Sequence, residues 1–89
     1  MKKIPFTIEI RSKIYTGHLS INDLSQPPRN YLVFIENHMA GELMWRYKWT
    51  FSQGRRHKIL GNLTNSECDD IALYLSDIVS LAYEKNENP

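Results

Sequence analysis

Apolar and polar residues alternate from the start of the chain: Ile4, Phe6, Ile8 and Ile10 are separated by Pro5, Thr7, Glu9 and Arg11. A period of two sends every second side chain to one face of an extended backbone, so this segment reads as a half-buried β-strand. A second strand alternates in the opposite phase, with Tyr15, Gly17, Leu19 and Ile21 apolar or small. A connection around Ser12-Lys13 pairs Ile10 with Tyr15, Ile8 with Gly17, Phe6 with Leu19 and Ile4 with Ile21, which gathers the apolar pairs on one side.

Asn22 to Asn30 holds Asp23, Ser25, Pro27 and Pro28 and reads as a polar loop. Tyr31 to Glu36 is a third strand, apolar on both faces, as a central strand is. Asn37 to Gly41 then reads as a turn. From Leu43 to Phe51 the odd positions are apolar or aromatic, and the even positions from Arg46 are polar or cationic. That pattern predicts a fourth strand with an aromatic side and a wet side. After a turn at Ser52 to Arg56, pairing Phe51 with His57 sets Trp49 opposite Ile59, Tyr47 opposite Gly61 and Trp45 opposite Leu63. A short fifth strand is therefore expected from about His57 to Leu63.

Thr64-Asn65-Ser66-Glu67 has the form of a capping box, in which the hydroxyl accepts from the amide three residues on and the glutamate reaches back. Cys68, Ile71, Ala72, Leu75, Ile78, Val79 and Ala82 follow at helical spacing, so a helix is expected to about Glu84. The predicted fold is α+β: an antiparallel meander of four to five strands with one C-terminal α-helix on one face. Residues 1–85 form a single domain and 86–89 a polar tail. Phe6, Ile8, Leu19, Trp45, Trp49, Leu75 and Val79 are the expected core. A helix about 10 Å wide shields about two or three strands spaced about 4.8 Å apart, so part of the aromatic face is expected to remain uncovered.

With 89 residues and 42% apolar content, the chain is long enough for one folded domain and no more. A single cysteine rules out an internal disulfide. Glu9 interrupts any apolar signal region at the N-terminus, and the longest apolar runs, Tyr31 to Ile35 and Ile71 to Leu75, are too short to span a membrane. A cytoplasmic location is the resulting expectation. Charge is uneven: residues 1–62 carry ten Lys/Arg against four Asp/Glu, while residues 63–89 carry one against six. A basic sheet followed by an acidic helix attracts a polyanion on one side only, and also suits pairing with a second copy.

Catalytic chemistry is not written into the spacing. Cys68 lies near a helix N-terminus, where the dipole lowers a thiol pKa, but it also lies inside the apolar stripe and reads as a packed side chain. His18, His38 and His57 have no metal-motif spacing, and Asp69-Asp70 suits the helix N-terminus. The glycines at 17, 41, 54 and 61 form no phosphate-cradling loop. No cofactor or metal is expected, and the chain reads as non-enzymatic.

Two surfaces remain. Arg46, Lys48, Arg55, Arg56 and Lys58 form a basic set on the wet side of the aromatic strand and its neighbour, suited to phosphate backbones of single-stranded DNA or RNA. Gly54-Arg55-Arg56-His57-Lys58 followed by Gly61-Asn62-Leu63-Thr64-Asn65-Ser66-Glu67 resembles, over Trp45 to Ala82, the layout of single-stranded-DNA-binding domains of the transcriptional coactivator and whirly kind. Cys68 and Ile71 stand where that layout has an aromatic residue early in the helix. The resemblance implies nucleic-acid binding by the basic sheet face. The other surface is apolar: Leu73 lies nearly opposite the core direction of the helix, and Tyr74 and Leu81 widen one flank. With an uncovered sheet face, these three favour a homodimer. The leading expectation is an interaction module that presents a sheet surface and self-associates, with nucleic-acid binding as the alternative.

Overall fold

The computed structural model describes residues 2–21, 30–45, 47–56 and 59–87. Five strands, β1 (Lys2–Ile10), β2 (Lys13–Ile21), β3 (Asn30–Ile35), β4 (His38–Trp45) and β5 (Trp49–Gln53), precede one helix, α1 (Asn65–Glu87). The strands form an antiparallel meander in the order β1-β2-β3-β4-β5, and the helix packs on one face, so the α+β architecture is as expected. Of the polar loop expected at Asn22 to Asn30, Asn30 opens β3 instead, and residues 22–29 lie outside the described residues.

Inside this architecture the turns differ from the sequence reading. β1 and β2 pair as Ile10↔Lys13, Ile8↔Tyr15, Phe6↔Gly17 and Ile4↔Leu19, two residues away from the expected register. The loop is Arg11-Ser12, with φ of 53° and 65°. Two successive positive φ values are the signature of a two-residue hairpin turn whose twist matches the strands. A slip of two leaves every side chain on its original face, so the expected faces survive the wrong register. β3 likewise turns at Glu36-Asn37, φ 52° and 66°, and His38 to Gly41 belong to β4 rather than to a turn.

The expected aromatic strand from Leu43 to Phe51 is in fact a hairpin. Trp45 pairs with Trp49, Met44 with Thr50 and Leu43 with Phe51. The expected strand from His57 to Leu63 is absent over its described part: Ile59 and Leu60 form a turn and Asn62 a bend. Leu60 is nevertheless buried, and Ile59 and Leu63 pack at the core edge. The loop is held where Gln53 Nε2 donates to the Gly61 carbonyl at 2.6 Å.

The capping box forms as expected. The Glu67 amide donates to Thr64 Oγ1 at 3.1 Å, and the Thr64 amide donates to Glu67 Oε1 at 2.9 Å. The helix then runs to Glu87, a little past the expected end. Its Ile71, Ala72, Leu75 and Val79 meet inward side chains from all five strands, among them Phe6, Leu19, Val33, Leu43 and Phe51. α1 packs against both β1 and β5, the two edges of the sheet. Part of the inner aromatic face stays open, as expected, at the β4–β5 end of the sheet, where Trp45 is 42% exposed and Trp49 half-buried, so neither tryptophan belongs to the closed core.

Candidate interaction surfaces

A two-residue hairpin closes with Ile10 and Lys13 exchanging both backbone hydrogen bonds, and the pattern alternates from there. Lys3, Pro5, Thr7 and Glu9 therefore turn their backbone groups toward the free edge of β1. Two features blunt that edge: Pro5 has no amide to offer, and the Tyr74 hydroxyl donates to the Thr7 carbonyl. Tyr74, expected at a self-association surface, thus ties the helix to the sheet.

A second tie was invisible in the sequence, since its partners are 56 residues apart. Arg11 Nε donates to Glu67 Oε2 and its Nη2 to Glu67 Oε1, both at 2.6 Å. The same Nη2 donates to the Asn62 carbonyl at 2.8 Å. The Arg11 guanidinium, with help from Thr64, holds the Glu67 carboxyl down at about 2. A cleft of about 660 Å³ opens beside these ties between β1 and α1, bordered by Glu9, Ile14, Asp70 and Ile71. Its Arg11, Glu67 and Tyr74 are already engaged with protein groups.

Of the basic set, Lys48, Arg55 and Arg56 are among the described residues. Lys48 is exposed in the turn before β5, while Arg55 and Arg56 are exposed beyond its other end. Backbone of roughly 15 Å separates them. Arg46 and Lys58 lie outside the described residues, as does His57. The shared wet face expected for these cations depended on pairing Leu43 to Phe51 with a strand at His57 to Leu63, and among the described residues that pairing is absent. On the helix, Leu73 and Leu81 are exposed at 66% and 53%.

The outer face of the sheet carries the apolar side chains to which the two-sided apolarity of β3 pointed. One cross-strand row reads Pro5, His18, Phe34, Met39, and the next reads Lys3, Ser20, Leu32, Glu42, Ser52. Met44 continues the apolar surface beside Thr50. Leu32 and Met39 are exposed, and Phe34 and Met44 half-buried. The His18 ring stacks on Phe34 at a centroid distance of 4.9 Å and 10° between planes. Burial, then the charge of Lys3, pushes the His18 pKa down, so the imidazole is neutral at pH 7 and suits an apolar contact.

Cys68 is partly buried at the core margin. Burial, with Asp69 and Glu67 nearby, pushes its thiol pKa up rather than down. Among the described residues no group of three or more His, Cys, Asp or Glu is placed to hold a metal ion, and no helix is long and apolar enough to cross a membrane. Fold and surface together define a small α+β meander with its C-terminal helix on one face and an apolar patch on β3 and β4 amid polar residues on the other. No family model, curated protein or solved structure matches the chain significantly.

Proposed function

We propose that the chain is a non-enzymatic interaction module that self-associates through the outer face of its sheet. The supporting observation is the apolar patch on β3 and β4 on the face opposite the helix, Phe34 and Leu32 flanked by Met39 and Met44, with the His18 ring of β2 stacked on Phe34. An antiparallel sheet with one solvated side normally carries polar residues there. Here the strand at its centre is apolar on both sides, and the inner side already has its cover. Removing the outer side chains from water stabilises association in proportion to the area covered.

Sedimentation velocity at roughly 10–300 µM, the range expected of a small interface, tests this reading. The wild type should move from monomer toward dimer as concentration rises. Leu32→Lys combined with Met39→Lys should stay monomeric with an unchanged fold, because both side chains are exposed. Leu73→Lys combined with Leu81→Lys should behave as wild type. A wild type that remains monomeric throughout, or loss of association in the helix variant alone, would overturn the proposal.

A further inference from the structure

Resting on that reading, we infer that the partner is a second copy packed face to face about a two-fold axis, with Lys3 of each copy against Glu42 of the other. The row that contains Leu32 carries one cation and one anion, placed at unequal distances from β3. Lys3 lies two strands away on β1 and Glu42 one strand away on β4. The point midway between them lies between β2 and β3. An axis along the strands above this midline exchanges β1 with the partner's β4 and β2 with the partner's β3. Rows keep their height under that rotation, so Lys3 comes opposite the partner's Glu42, and Glu42 opposite the partner's Lys3.

The same operation sets Leu32 over the partner's Ser20 in that row, and His18 over the partner's Phe34 in the next. Each apolar side chain then meets a small or aromatic one rather than a charge. Sheets pack about 10 Å apart, a gap that an extended lysine and glutamate span together. Neither Lys3 nor Glu42 has an ion-pair partner within its own chain among the described residues. A symmetric dimer requires a self-complementary patch. The opposite charges flanking Leu32 supply it.

Charge exchange tests the arrangement. Lys3→Glu alone and Glu42→Lys alone each convert two attractive contacts per dimer into two repulsive ones. Each should raise the dimer dissociation constant by on the order of tenfold at low salt. Mixing the two variants should restore association as a heterodimer, and the Lys3→Glu/Glu42→Lys double variant should dimerise as the wild type does. Circular dichroism and urea midpoints check that the variants keep the fold. If the single variants dimerise like wild type, or mixing restores nothing, the two-fold arrangement is wrong. When association is still abolished by Leu32→Lys/Met39→Lys, such a result leaves the outer face in use and removes only this geometry. A monomeric wild type removes both.

Discussion

Leu75 and Leu73 stand two positions apart on the same helix, one 1% exposed and the other 66%. Truncating each to alanine makes the same chemical change in opposite environments and so isolates the contribution of packing. Leu75→Ala removes three carbons from the core, a transfer loss of about 2.4 kcal/mol at about 0.8 kcal/mol per buried carbon. A residual cavity of roughly 40–80 Å³ at about 24 cal/mol per Å³ adds about 1–2 kcal/mol. The expected cost is about 3–4 kcal/mol, against a total stability of about 4–13 kcal/mol for a chain of this length. Leu73→Ala should cost less than about 0.5 kcal/mol, as exposed substitutions do.

Equilibrium unfolding in urea, followed by fluorescence of Trp45 and Trp49 at the edge of the core, reads both variants. With a slope of about 1–1.5 kcal/mol per molar, the Leu75→Ala midpoint should fall by about 2–4 M while that of Leu73→Ala barely moves. Val79→Ala, which removes two carbons at a 3% exposed position, offers a milder step should Leu75→Ala not fold. Equal costs at positions 73 and 75, or a loss below about 1 kcal/mol at Leu75, would refute the assignment of the helix face.

Gly41→Ala should destabilise the β4–β5 hairpin by about 1–3 kcal/mol, because a Cβ there would meet the Ser52 carbonyl oxygen and lie 2.8 Å from Phe51 Cζ. An unchanged urea midpoint would show that the two strands yield to it. Glu67, held at about 2 against an ordinary value of 4.5, should contribute stability that is full above pH 4.5 and is lost as pH falls toward 2. Arg11→Gln should flatten that part of a pH titration of the urea midpoint, and an identical profile would remove the Arg11–Glu67 pair as its cause. The raised Cys68 pKa leaves little thiolate at pH 7, so a disulfide reagent should label it slowly in the folded protein and quickly in urea. Equal rates in the two states would contradict the packing of Cys68 at the core margin.

Periodicity revealed faces reliably and fold-backs poorly, for a definable reason. Ile4 to Ile10 and Tyr15 to Leu19 point inward whether their paired numbers add to 25, as expected, or to 23, as observed, since a slip of two conserves parity. The turn residue types would have settled the register, but Arg11-Ser12 and Glu36-Asn37 lack the Asn-Gly or Asp-Gly pair that announces a two-residue hairpin. Trp45 and Trp49 show the same blindness more sharply. Odd residues pair with odd residues across their loop, so the alternation from Leu43 to Phe51 continues through a reversal of chain direction. Only the capping box at Thr64 and Glu67 combined a local signal with a local geometry, and there expectation and structure coincide.

These errors about turns decide which surface is free. A sheet wider than its helix would leave aromatic inner surface for a partner; α1 meets both edges, and the inner face stays open at Trp45 and Trp49. A separate pair of strands at Leu43 to Phe51 and His57 to Leu63 would have lined up Arg46, Lys48 and Lys58. The hairpin instead sets Lys48 and Arg55 at opposite ends of β5. What survives the change in topology is the composition of β3, where Leu32 and Phe34 face away from Tyr31, Val33 and Ile35. While Leu73 and Leu81 remain exposed on the helix, the proposed self-association draws on this outer face of the sheet. Lys3 and Glu42 acquire meaning only there, because it takes three successive strand registers to place them in one row. Errors of register are thus harmless for burial, which depends on parity alone, and decisive for recognition, which depends on which residues stand side by side.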